Sequence, residues 1–160
     1  MRVNFTQSVR QFHFQCHRPW RTPNTAVKNS TLNHRLLCVD DNSTFLGLLQ
    51  VGLESYGYEV VTAAHGLDAL MQYHAHSGQF HAVISDCDMP RMNGAEFTAE
   101  LRQRGYKGAI LVMSGHLTND VRLAFRDCDI SRFYRKPFHV RNLVNDLDLL
   151  SCGGNQAAES

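Results

Sequence analysis

The 160 residues carry 16 Lys plus Arg against 15 Asp plus Glu, with a hydrophobic fraction of 43%. That is enough for one core with tails, and it supplies no global basic field of the kind that drives nonspecific nucleic-acid binding. No run approaches the roughly 18 apolar residues of a membrane span, and five cysteines with no CxxC pair argue against both a disulfide framework and a zinc site, which leaves the reducing cytoplasm as the expected compartment.

The ends differ in kind. Residues 1–34 hold five basic residues (Arg2, Arg10, Arg18, Arg21 and Lys28) and no acidic one, giving +5, whereas residues 35–160 sum to −4. The first segment has aromatics without period, a Pro-rich stretch at Pro19 to Pro23 and a polar cluster at Asn29 to Asn33. It is expected to be a disordered extension, with a basic arm meeting an acidic partner or nucleic acid as the sharper reading.

From Arg35 short apolar runs alternate with helix-period segments, the pattern of βα units in a parallel sheet. Leu36 to Val39 is the first strand, and Asn42 or Ser43 caps a helix whose inward positions are read as Phe45, Leu48, Leu49 and Tyr56 before Gly57 ends it. Tyr58 to Ala63 is the second strand. Leu67, Leu70, Met71 and His74 form the stripe of the second helix, which closes near Gly78. His81 to Ser85 is the third strand, and a loop from Asp86 to Asn93 leads to a helix with Phe97 and Leu101 inward, ended by Gly105. Ala109 to Met113 is the fourth strand. Thr118 caps a short helix with Val121, Ala124 and Phe125 inward, Arg132 to Arg135 is the fifth strand, and Phe138 to Leu150 is the last helix, with Val140, Leu143, Val144 and Leu147 inward. The expected architecture is a doubly wound, five-stranded parallel α/β domain over residues 35–150, followed by a disordered tail at 151–160 and no output domain.

Ligands of such sheets sit beyond the carboxyl ends of the strands. Those ends carry Asp40-Asp41, Asp86-Cys87-Asp88-Met89-Pro90, Ser114-Gly115-His116 and Lys136-Pro137-Phe138. Several carboxylates on one rim repel one another, and a hard divalent cation such as Mg2+ relieves this with oxygen ligands. Asp40, Asp41 and Asp86 suit it, while the Ser114 hydroxyl and the Lys136 ammonium supply donors for phosphoryl oxygens. A carboxylate can itself be the nucleophile. A strand-end Asp also serves as a plain helix cap, Phe133 also reads as core, and His116 also reads as a solvated loop histidine. Cys87 is read as a pocket wall, and His65, His74, His76, His81 and His139, which lack ligand spacing, as surface or packing residues.

Together these motifs resemble the receiver domain of two-component response regulators, of the stand-alone, chemotaxis-regulator-like kind. The resemblance covers Leu36 to Leu150 and rests on Asp40-Asp41, on Val83 to Pro90 with Met92-Asn93-Gly94, on Met113-Ser114-Gly115 and on Lys136-Pro137-Phe138. Asn93 stands where the family frequently has Asp, and both suit the turn. The resemblance implies a flavodoxin-like fold and Asp86 as phosphoacceptor. It implies Mg2+ held by Asp40, Asp41, Asp86 and the backbone carbonyl of Asp88, and phosphoryl contacts from Ser114 and Lys136. It also implies a cis Lys136-Pro137 bond and a switch through Ser114 and Phe133 that alters the face of the fourth helix, fifth strand and fifth helix. Asp88 and His116 take the positions that tune phosphoryl lifetime. The implied partners are a histidine kinase or histidine phosphotransfer protein, a downstream protein target and a second copy bound on phosphorylation, with no membrane, and nucleic acid only through the arm. Beyond self-phosphorylation and slow autodephosphorylation no metabolic activity is implied. The alternative is a phosphorylation-silent binding module acting through its basic N-terminal arm.

Overall fold

A computed structural model describes residues 34–153. The expected N-terminal extension, apart from His34, and the last residues of the expected tail lie outside them. Five strands, β1 (Arg35–Val39), β2 (Glu59–Ala63), β3 (Ala82–Asp86), β4 (Ala109–Ser114) and β5 (Arg132–Arg135), alternate with five helices, α1 (Ser43–Glu54), α2 (Gly66–Ala75), α3 (Gly94–Gln103), α4 (Asn119–Ala124) and α5 (Val140–Gly153). All strand pairs are parallel and the sheet order is β2-β1-β3-β4-β5. The order reverses between β1 and β3, so a crevice opens beyond the carboxyl ends of those two strands.

Alternation along each buried strand feeds two cores. Leu37, Val39, Val83, Ile110 and Val112 face one side with Ala69, Phe97, Leu101 and Phe125, while Leu36, Cys38, Ile84, Leu111 and Met113 face the other with Leu46, Leu49, Leu53, Leu143 and Leu147. Strands buried on both faces need continuous apolar sequence, which β1, β3 and β4 have. Side chains cap the helices that were expected to be capped: Asn42 accepts from the Phe45 N–H and Thr118 from the Val121 N–H. Arg102 binds the chain where α3, β4 and the approach to β5 meet, donating to the carbonyls of Tyr106, Gly108, Cys128 and Asp129.

Several expected details are corrected. In α1 the buried side chains are Leu46, Leu49 and Leu53, whereas Leu48 is 69% exposed and Tyr56 is exposed as well. In α2 the small residues Gly66 and Ala69 are buried and Leu70 and Tyr73 pack beside them, leaving Leu67, Met71 and His74 outside. Small residues carry little hydrophobic signal but allow close packing: Ala69 lies in the core beneath the helix, and Gly66 lies against Met92, where a Cβ would come within 2.5 Å of that side chain. Ala124 of α4 is exposed, and Phe125, just past the helix, is buried instead. β3 and β4 each run one residue further than expected and so include Asp86 and Ser114. α5 continues to Gly153; the Ser151 hydroxyl donates to the Leu147 carbonyl and pairs with His81.

Candidate functional site

Asp40 follows β1 directly and is 1% exposed. Its backbone N–H donates to the Ala63 carbonyl at 3.1 Å, and its Oδ1 accepts from the Asn42 N–H at 2.9 Å, a side-chain turn that orients the carboxylate. Asp86 is the last residue of β3, and its Oδ2 accepts from the Asp88 N–H at 3.0 Å. Gly94 begins α3 directly against this strand end: a Cβ there would sit 2.2 Å from the Asp86 carbonyl oxygen, so only glycine permits the approach. Asn93 and Glu96 close a reciprocal capping box over the same turn.

Lys136 arrives from the far side of the sheet. Its backbone N–H donates to the Ser114 carbonyl at 2.8 Å, extending the β4–β5 register by one residue, and the Lys136–Pro137 peptide is cis, as the resemblance implied. Its ammonium lies between the two carboxylates, 2.5 Å from Asp40 Oδ2 and 2.6 Å from Asp86 Oδ1. Burial works against the Lys136 charge, yet the hydrogen bonds and charges of Asp40 and Asp86 outweigh it and raise its pKa. Burial also raises the Asp86 pKa despite the opposing ammonium. The Cys87 thiol is pushed up to about 11 by burial and by the charges of Asp88 and Asp86, which makes it a poor thiolate.

Of the expected site residues, the structure brings Asp40, Asp86 and Lys136 into contact. Asp41 is exposed on the loop before α1. Ser114 is fully buried, and its Oγ donates to the His116 carbonyl at 3.2 Å and accepts from the His116 N–H at 3.1 Å, so its hydroxyl is engaged with its own loop. His116 is exposed, as is the Asp88 side chain. Phe133 is half-buried, edge-on to Phe125 with ring centroids 5.8 Å apart and under the Arg122 guanidinium at 4.9 Å. Cys87 does line a wall, that of a cleft of about 280 Å³ shared with Asp88, Asn93, Ala95, Asp120, Val121 and Ala124.

The rim's oxygen donors, the carboxylates of Asp40, Asp41 and Asp86 and the carbonyl of Asp88, are of the kind a hard cation takes. Among the described residues no three His, Cys, Asp or Glu side chains are gathered closely enough to hold an ion alone. Carbonyl and water oxygens would complete the shell, as suits Mg2+. Sequence reasoning missed Phe45 as a neighbour of the site, because its ring was assigned to an inward helical stripe; it lies against the Lys136 ammonium, 4.5 Å from Nζ to the centroid.

The family model of the response regulator receiver domain matches residues 36–148. The chain belongs to that family. The transcriptional regulatory protein PrrA of Mycobacterium tuberculosis is 33% identical over 110 residues, 69% of this chain and 46% of its own length. This receiver domain thus spans about half the length of the curated relatives it matches. Among solved structures, the chemotaxis protein CheY4 of Vibrio cholerae superimposes with a TM-score of 0.65 at 30% identity, covering 72% of this chain and 97% of that one. The response regulator protein TrrA of Thermotoga maritima, solved with Mg2+ and BeF, gives 0.61 at 28% identity, covering 72% and 97%.

Proposed function

We propose that this receiver domain accepts a phosphoryl group on Asp86 from a phosphohistidine donor, a histidine kinase or histidine phosphotransfer protein. The contact of the Lys136 ammonium with both Asp40 and Asp86 carries this reading. It sets a fixed positive charge beside the nucleophile, where phosphoryl oxygens need a donor. One carboxylate oxygen of Asp86 forms the bond to phosphorus as the donor's P–N bond breaks, and the electron pair leaves with the imidazole, which takes up a proton. Lys136 and Ser114 donate to the transferred oxygens, and the product is an acyl phosphate that water hydrolyses slowly. Asp40, Asp41, Asp86 and the carbonyl of Asp88 would hold Mg2+, which when bound neutralises charge on the phosphoryl oxygens. The buried free thiols Cys38, Cys87 and Cys128 fit a reducing cytoplasm, and among the described residues no helix is long and apolar enough to cross a membrane.

Ser114 must leave its bonds with His116 to reach the phosphoryl group. That frees space beside β5, into which Phe133 turns, away from Phe125 and Arg122 on the α4 side. The changed surface of α4, β5 and α5 then binds a downstream protein or a second copy. Light scattering with a phosphoryl mimic bound is expected to show an increased mass or a newly retained partner; an unchanged mass together with no new partner would refute this output.

Intact mass spectrometry after incubation with a small-molecule phosphodonor tests the chemistry. A Mg2+-dependent phosphoryl adduct in the wild type, absent in Asp86→Asn, is the expected result. A folded wild type with no adduct would overturn the assignment of Asp86.

A further inference from the structure

Phe45 lies in the first turn of α1. Its backbone N–H donates to the Asn42 side chain at 3.0 Å, and the Asn42 N–H in turn holds Asp40 Oδ1 at 2.9 Å. The ring therefore hangs from the same turn that orients one of the pocket carboxylates. An ammonium has three N–H donors and no acceptor. Two are committed to Asp40 Oδ2 and Asp86 Oδ1. The Phe45 ring covers a further side of the nitrogen, at 4.5 Å from the centroid. A ring face is the negative part of the aromatic quadrupole and attracts a cation, more strongly where water is excluded; the Lys136 side chain is only 22% exposed.

The ring is itself braced. Phe138 meets it edge-on at 6.0 Å, Tyr134 packs on Phe138 at 5.2 Å, and the Tyr134 hydroxyl donates to Asp146 of α5. These side chains belong to the core on the α1 and α5 side of the sheet, opposite the core that contains Phe133.

We propose that Phe45 is a positioning residue: its ring face holds the Lys136 ammonium in the gap between Asp40 and Asp86, where phosphoryl oxygens arrive. The catalytic consequence rests on the reading of Asp86 as phosphoacceptor, whereas the ring–ammonium attraction does not. Packing alone would need only an apolar side chain of similar volume at this position. An electrostatic hold needs an electron-rich face.

The full chain, with Phe45 replaced in turn by monofluoro-, trifluoro- and pentafluorophenylalanine, separates the two, because fluorine drains the ring face with little change in shape. Two quantities are read: exchange of the Lys136 ammonium protons with solvent by nitrogen-resolved NMR, with exposed Lys107 as internal reference, and the rate of adduct formation from a small-molecule phosphodonor. Lys136 exchange is expected to quicken stepwise along the series while Lys107 stays constant. The adduct rate should fall about threefold to tenfold by the pentafluoro ring. Phe45→Tyr, which keeps the electron-rich face, should stay near wild type, and Phe45→Leu should join the slow end. A level exchange series in folded protein would overturn the proposal. A wild type that forms no adduct would instead refute the Asp86 assignment, and the exchange series would still decide the role of Phe45.

Discussion

Substituting Gly94 by Ala tests whether the contact between α3 and the end of β3 positions Asp86. A Cβ at Gly94 would lie 2.2 Å from the Asp86 carbonyl oxygen and 3.1 Å from the Cys87 Cα, whereas real Cβ atoms keep at least 3.0 Å. Both obstacles are backbone, so no rotamer change relieves them. The strand end and the helix start must separate by about 0.8 Å, an overpacking strain worth about 2–3 kcal/mol. For a domain of this size that lowers Tm by about 6–12 °C. The displaced carbonyl belongs to Asp86 itself, and misplacement near 1 Å costs about a hundredfold in rate. Adduct formation, followed by intact mass well below the lowered Tm, should therefore drop by at least about tenfold. Gly47→Ala is the control: nothing lies within 4 Å of its Cβ position, it sits in the exposed middle of α1, and it should stabilise by about 0.5–1 kcal/mol with the rate unchanged. If Gly94→Ala melted within about 2 °C of wild type and formed adduct at the same rate, the reasoning would be wrong.

Arg102→Met leaves the carbonyls of Tyr106, Gly108, Cys128 and Asp129 without their shared cation, and urea unfolding should show a loss of about 3 kcal/mol; a loss below about 1 kcal/mol would contradict it. Burial, and then the charge of nearby His34, lower the His81 pKa from its ordinary 6.5, with Asp148 opposing. The unfolded chain therefore takes up that proton first as pH falls. Stability should decline below about pH 6.5, and His81→Asn should flatten that part of the profile; an unchanged slope would rule His81 out as its source. His116→Ala is expected to change the rate at which the Asp86 phosphoryl group is lost, followed by mass after removal of the donor. An identical rate would leave His116 as a solvated loop residue.

The sheet was legible because β1, β3 and β4 are unbroken apolar runs that end in charged or hydroxyl residues, and strand ends are where such sheets keep their chemistry. Helix faces were less legible. In α1, Phe45, Leu46, Leu48, Leu49, Val51 and Leu53 spread apolar character around most of the circumference, so period alone does not choose a face. Packing chooses it: Gly52 abuts Val140 of α5, which sets the rotation that buries Leu46, Leu49 and Leu53. In α2 the choice fell to Gly66 and Ala69, whose small size lets the helix pack while Met71, 70% exposed, stays outside. The candidate site was legible as a set of residue types but not as a set of contacts. That Ser114 is engaged with His116, that Asp41 is exposed and that Phe45 touches Lys136 all depend on loop and turn geometry that no spacing encodes.

Lys136 meets Asp86 across 50 residues of chain and Asp40 across 96, so no local segment carries the pocket. β1 supplies one carboxylate, β3 the other, and β5 the ammonium through a backbone bond to the end of β4. A register slip of one residue in any of these pairings would turn the strand's inward side chains to the opposite face. It would also withdraw one charge from the group, leaving two buried carboxylates without their shared ammonium or the ammonium with only one of its two carboxylates. Both errors cost stability, and they fall on the same pairings that build the two cores. The charged rim therefore reinforces the sheet order that the apolar strands specify, and a chemically complete pocket is at the same time a test that the four central and edge strands β1, β3, β4 and β5 have paired in register.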